Sequence, residues 1–385
     1  MPSSLDVSSA GRPTQSGWLA GIIASLRENS PPLFMVALYL SAANILGAWV
    51  GRADRPLDRA GSNYDGYIAI CIAAFTMAFV IWFLRLTLVR KVKVRTGDAW
   101  RHTFSEFLSR DRVLLSLPIL AVWPIMAVSF SFVKTLIPSI NPYYLDPFLH
   151  AADRALHFGQ DPWTLLQPLF GYPIVTVIID SLYALWFFVM YFALLLQITS
   201  TRDRRLRMQF LFSSMVAWTL IGGLGAILLS SAGPCYFGKV VGSPDPYAPL
   251  VSYLRDTVEH TRISLFGFGF TPELIAVRVQ DLLWGFHQQG EFGFGRGISA
   301  APSMHVGSTW LVARMLQTYG RRAAIAGWGF FAVILLGSIH LGWHYAVDGY
   351  IAILGAWAIW RCVGWLLDRP RVRGFLWPYG LPQAN

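Results

Sequence analysis

A polytopic bundle of membrane helices is the fold class that this 385-residue chain predicts, and three observations predict it. Hydrophobic residues make up 55% and charged residues only 14%, more apolar material than a soluble core needs. Apolar runs of about 20 residues, enough to cross roughly 30 Å of hydrocarbon, follow one another with short breaks. The basic residues gather in alternate breaks.

The runs near 32–50, 67–88, 113–133, 173–198, 208–230, 301–318, 323–341 and 345–367 predict about eight spans in an all-α architecture. The stretch WLAGIIASL, Trp18 to Leu26, is apolar but short, and reads as an interfacial helix rather than a crossing. The polar segment before it lacks the basic start of a signal peptide and reads as a cytoplasmic tail. The expected division is a tail with the interfacial helix over 1–30, N-terminal spans over 31–142, a core over 143–367 and a second cytoplasmic tail over 368–385.

Eight crossings bring both termini to one side. One set of breaks holds Arg85, Arg90, Lys91, Lys93, Arg95, Arg101, Arg110 and Arg112, then TRDRRLR from Thr201, Arg321-Arg322 and DRPRVR from Asp368, which marks that side as cytoplasmic. The other breaks, near 51–66, 134–172 and 231–300, mix acids with bases and are rich in Pro, Gly and aromatic residues, so function is expected there, on the extracytoplasmic face. Topology accounts for the net charge of +10, and no basic face is gathered for nucleic acid. Three cysteines, an odd number, imply neither a disulfide framework nor a Cys-based metal site. Without long polar tails, a bacterial inner membrane is the expected setting.

Three stretches fall at the extracytoplasmic level: SAGPCYFG after the fifth run, APSMHV opening the sixth, and HLGWHYAVD between the last two. They carry His305, His340, His344 and Asp348, and ionisable groups beside hydrocarbon are costly enough to mark a functional site. His340, His344 and Asp348 recur every four residues, so where the segment is helical they share a face and Asp348 can orient an imidazole. An imidazole that donates one nitrogen to a carboxylate presents the other as nucleophile or base. His305 is then placed to protonate a departing oxygen. Ser303 and the first N–H groups of the following helix are placed to hold phosphoryl oxygens, with His340 as a further phosphate-binding candidate.

Phosphoryl transfer needs a cation near developing negative charge, and Arg296 in GFGRGISAAPSMH is preferred, with Lys239 second. His340 also reads as an interfacial polar group. A metal site on His340 and His344 is set aside because Leu341 stands where zinc-protease helices carry Glu, and no metal or cofactor is expected. GPCYFG, Gly233 to Gly238, reads either as a helix stop or as pocket wall. ADRALHFGQDPW, ending at Trp163, reads as an amphipathic surface helix or, through Asp153, Arg154 and His157, as a head-group reader. SLFGFGFTPE, in the loop from Gly238 to Arg296, reads as part of a lid.

Pro302-Ser303-Met304-His305 and His344-Tyr345-Ala346-Val347-Asp348 resemble the second motif (Pro-Ser-x-His) and third motif (His-x-x-x-Asp) of the type-2 phosphatidic acid phosphatase superfamily. HYAVD following GISAAPSMHV, with ADRALHFGQDPW upstream, is most similar to the inositolphosphotransferase-like branch, which includes fungal inositol phosphorylceramide synthase, over residues 143–366. The resemblance implies a six-helix core with extra N-terminal spans. It implies His344 as nucleophile, Asp348 as its orienting group and His305 as general acid. The activity implied is that of a metal-independent lipid phosphotransferase or lipid phosphate phosphatase, with a phospholipid donor, a phosphohistidine intermediate, and a lipid alcohol such as ceramide, or water, as acceptor. Two departures stand out: the first motif, with its Lys and Arg-Pro, has no clear counterpart, and Ser338 stands where the third motif often has Arg. The alternative is a non-catalytic lipid or ion transporter using the histidines as a relay, though no inverted repeat supports it.

Overall fold

Proline, glycine and capping residues cut the apolar runs into helices. The computed structural model describes residues 17–58, 72, 76, 109–260, 263–265, 268–270, 273–290, 295–378 and 380. The expected span near 67–88, apart from two isolated positions, and the basic residues from Arg85 to Arg101 lie outside the described residues, as do parts of the stretch read as a lid.

Helices α1 (Trp18–Glu28) and α2 (Ser30–Trp49) follow one another directly, and Pro31 and Pro32 sit in the first turn of α2, where no N–H is needed. Helix α3 (Arg110–Ile140) keeps Pro118, Pro124 and Pro138 inside it. Proline frees the carbonyl four residues back, and in a membrane helix a neighbour must satisfy it. For Pro118 that carbonyl is Leu114, which accepts from the Ser25 hydroxyl of α1 at 2.5 Å.

Two short helices, α4 (Asp146–Leu156) and α5 (Pro162–Phe170), lead into α6 (Pro173–Ala184) and α7 (Trp186–Ile198), which form one long run interrupted at Leu185. Helix α8 (Arg204–Thr219) starts at Asp203, whose carboxylate accepts from Leu206 N at 2.8 Å, and continues through a π-helical turn, Leu220–Gly225, to Leu228. After α9 (Ala248–His260) and an antiparallel hairpin pairing Ile263 with Phe270 come α10 (Ile275–Gln288), α11 (Met304–Gln317), α12 (Arg321–His340), α13 (Ala346–Leu367) and α14 (Pro370–Leu376).

Six runs among the described residues are long and apolar enough to cross a membrane: Ser30–Trp49, Arg110–Ile140, Pro173–Ile198, Arg204–Leu228, Arg321–His340 and Ala346–Leu367. The polytopic helical bundle expected from the sequence is therefore present. The run at 301–318 differs from expectation. Pro302 and the N-cap Ser303 delay its helix to Met304, so α11 has only 14 residues, too few for about 30 Å of hydrocarbon. It is instead a central post, buried from Val306 to Ala313 and packed against α7, α8, α12 and α13.

The bundle has two polar ends. At one, the fully buried Arg207 of α8 donates to Asn29 Oδ1 (2.9 Å), Leu115 O (2.9 Å) and Ile198 O (3.3 Å), tying α1–α2, α3 and α7 together. Arg204 pairs with the buried Glu28 at 2.5 Å, and Arg205 with Asp368 at 2.7 Å. At the other end meet the C-terminal part of α3, the end of α8 and the loops that carry the histidines.

Candidate active site

Buried carboxylates build the histidine end of the bundle. Asp146, first residue of α4, accepts from Ala232 N (2.9 Å), Gly233 N (2.8 Å) and the Tyr345 hydroxyl (2.9 Å). Asp153, two turns on, accepts from Ala346 N and Val347 N, each at 2.8 Å. Those are first-turn donors of α13, and a carboxylate there satisfies orphan N–H groups and suits the helix dipole. Burial raises the Asp153 carboxyl to about 6, against the pull of those two N–H groups.

The segment between α12 and α13 is held just as closely. Ser338 O accepts from Trp343 N (2.9 Å) and His344 N (3.1 Å), while Cys235 N donates to Gly342 O (2.9 Å). Gly233 makes the approach possible: at φ +101 it lies in the glycine-favoured region, and a Cβ there would sit 2.8 Å from Trp343 O.

A second extended piece, Ile298 to Ser303, runs beside it. Ala300 N and Ala301 N donate to Ser231, to its carbonyl at 3.0 Å and its hydroxyl at 2.9 Å, and Ser303 N donates to Asp348 O at 3.2 Å. The two histidine motifs, distant in sequence, are thereby fixed against each other.

At their junction His344 Nδ1 lies 2.9 Å from Ala300 O, an atom that only accepts, so Nδ1 carries the hydrogen and Nε2 the lone pair. Burial pushes the His344 imidazole down to about 3, which keeps it neutral. Nε2 faces His305 Nδ1 at 3.3 Å. The His305 ring, in the first turn of α11, lies between Tyr183 (ring centroids 5.0 Å, 27°) and Trp186 (4.1 Å, 46°), the residues that flank the interruption at Leu185. The Trp186 indole N–H is itself held by Ser308 Oγ at 3.0 Å.

Both histidines line a cavity of about 390 Å³ together with Lys134 and Arg296. Lys134 comes from α3. Arg296 lies with its guanidinium 3.9 Å from the centroid of the Phe286 ring, on a loop drawn close to α3 by Gly297. That glycine has φ +93, and a Cβ on it would meet the Lys134 carbonyl carbon at 3.0 Å.

Several sequence expectations need correction. His340, His344 and Asp348 share no helix face, because α12 ends at His340 and α13 begins only at Ala346. His340 turns to Thr176 Oγ1 (2.9 Å) and lies edge-on to Phe170, outside the lining of the cavity. Asp348 stands 3.6 Å from His344 Nδ1, farther than the Ala300 carbonyl, and accepts instead from Tyr345 N at 3.1 Å. Ser303 Oγ accepts from Val306 N at 3.4 Å as the N-cap of α11, and Ser303 is not among the residues lining the cavity. Lys239 lies over the Trp284 ring at 4.8 Å and does not line the cavity. GPCYFG acts as a brace behind the His344 loop, and Asp153, read as a head-group contact, is buried beneath α13. His157 does reach the surface, with Nε2 3.0 Å from the Tyr350 hydroxyl.

Sequence reasoning missed Lys134, Ala300, Tyr183 and Trp186. For Lys134 a signal existed: it ends an apolar run and is followed by Asn141-Pro142, an asparagine where the first motif has arginine. Asn141 donates to Ile227 O at 2.9 Å, a structural contact. Ala300 acts through its carbonyl, which no residue pattern reveals.

A family model described as the PAP2 superfamily matches residues 147–367. No curated protein and no solved structure matches the chain.

Proposed function

The chain belongs to the PAP2 superfamily, and from that membership we propose that it is a lipid phosphotransferase or lipid phosphate phosphatase that works through a phosphohistidine on the extracytoplasmic side of the membrane. The observation that carries the reading is the pair of imidazoles, His344 Nε2 and His305 Nδ1 3.3 Å apart, at a cavity that also receives Lys134 and Arg296.

In this reading the phosphate enters between the two rings and parts them. The lone pair of His344 Nε2 attacks phosphorus as the bond to the ester oxygen breaks, and His305, entering the step as imidazolium, gives that oxygen a proton and is left neutral. Lys134 and Arg296 hold the remaining phosphoryl oxygens as charge develops on them. Arg296 thus stands in for the guanidinium that Asn141 lacks. A water or a lipid alcohol then gives its proton to His305 and attacks phosphorus, and the bond to Nε2 breaks. The Ala300 carbonyl holds the Nδ1 hydrogen throughout, and Asp348 adds a carboxylate near the ring when it carries positive charge.

The inositolphosphotransferase-like branch is the finer assignment we favour, on the order and spacing of HYAVD, GISAAPSMHV and ADRALHFGQDPW. The basic turns at the opposite end of the bundle favour termini in the cytoplasm and a bacterial inner membrane. To test the activity, purified protein is incubated with native lipid extract, and free phosphate and head-group-exchanged lipid are scored by mass spectrometry. Phosphate release alone identifies a phosphatase, and a new phospholipid with matching diacylglycerol a transferase. Turnover that survives in His344→Ala rules the mechanism out.

A further inference from the structure

The cavity does not end at the histidines. It continues along α3, where Trp123, Met126, Ala127, Phe130 and Lys134 line it, positions spaced as one face of a helix. At about 1.5 Å per residue, the eleven steps from Lys134 to Trp123 cover about 16 Å, roughly half the hydrocarbon core. Met190 and Tyr191 of α7 form the facing wall. Gly222, in the π turn of α8, also lines it, and a Cβ there would meet Phe130 and Met304 at 2.8 Å each. Lys134, Arg296 and the imidazoles line this slot together with the Asp180 carboxylate, which accepts from Ile275 N and Ala276 N, while the stretch toward Trp123 is mainly apolar.

The stripe is one helix face wide and narrows at Gly222, where a Cβ would already meet Phe130 and Met304, so it suits one chain rather than two. We propose that the slot takes a single aliphatic chain of a phosphate ester, its phosphate between Lys134, Arg296 and the histidines and its hydrocarbon running down α3 toward Trp123. The proposal rests on the phosphoryl-transfer reading of the histidine pair. A substrate with two chains would leave the second in the bilayer.

A chain moving from the bilayer into the slot gains little transfer free energy, because lipid is as apolar as the wall. The slot therefore acts as a register: it fixes how deep the ester sits and holds phosphorus level with His344 Nε2, a gain in orientation rather than in affinity.

The test is photo-crosslinking of the intact protein in nanodiscs with a long single-chain alkylphosphonate, which the enzyme cannot turn over. The diazirine sits either beside the phosphonate or at the chain end. Tail labels are expected on residues 123–130 and 187–191. In Ala127→Trp they fall at least tenfold while the head-proximal label persists, which also reports that the protein is folded. Leu117→Trp, on the exposed side of the same helix, leaves the tail labels in place. Tail labels on outward positions such as Leu117 and Leu354, or labels indifferent to Ala127→Trp, overturn the slot. Correct labelling in a protein that turns over no phosphate ester keeps the slot and removes the catalytic reading instead.

Discussion

His344 Nδ1 donates to Ala300 O at 2.9 Å, while the Asp348 carboxylate lies at 3.6 Å. The tautomer of His344 is thus set by a backbone carbonyl, and in the proposed mechanism Asp348 is left an electrostatic role.

Asp348→Asn should therefore be milder than the loss of an orienting aspartate in a serine-protease triad, which costs about 10⁴ in kcat by imposing the wrong tautomer. A fall in kcat of about 10- to 100-fold with KM nearly unchanged is expected, from steady-state kinetics on a phosphate ester. A loss as large as that of His344→Ala would assign the tautomer to Asp348 after all.

In the proposed mechanism His305→Ala removes the proton donor to the leaving oxygen, and general acid catalysis contributes about 10²–10⁴. The loss should be large for an alkyl phosphate and small for a p-nitrophenyl ester, whose leaving group needs no proton. Equal losses on both would make His305 a structural residue.

Lys134→Met should lower kcat/KM by about 10²–10³, the usual effect of deleting a group that stabilises developing oxyanion charge. Lys239→Ala, which removes a cation seated over Trp284 and outside the cavity, should stay within about twofold by the same measure.

Arg207→Met leaves the buried Glu28, 4.0 Å away, with one cation fewer and strips Asn29 Oδ1 and Leu115 O of a donor. Breaking a buried charged network in this way costs about 3–5 kcal/mol. A thermal midpoint lowered by several degrees in detergent is the expected result, with residual activity per folded molecule unchanged.

Asp153 provides a pH signature. Its carboxyl is raised from 3.8 to about 6, so between those values the folded protein holds a proton that the unfolded chain has released. Stability from this group is present in acid and is lost as pH rises through that window. The difference in thermal midpoint between the protein and Asp153→Asn should therefore widen in favour of the unsubstituted protein from about pH 7 to about pH 5.

The helices and the two histidine motifs were legible because hydropathy period and residue type carry them: His305 and His344 meet as their motifs imply. What was not legible depends on where chain segments turn. A spacing of four suggested one face for His340, His344 and Asp348, but the chain leaves the helix at Leu341, and His340 is sent to Thr176. Ser303 caps its own helix, a role that the Pro-Ser pair also predicts. Lys134 stands one residue beyond a run that hydropathy reads as a span, and its partners on the cavity come from segments far along the chain.

Arg207 sets the smallest working unit of this protein. The superfamily match opens at residue 147, yet this guanidinium, well within it, is satisfied by Asn29 and Leu115 upstream, and the cavity borrows Lys134 from the same upstream helix. A version trimmed to the match would leave the buried guanidinium with Ile198 O alone of its three acceptors and remove one wall of the cavity. Chimaeras with relatives must therefore exchange the leading helices together with the histidine-bearing half, as one inheritance.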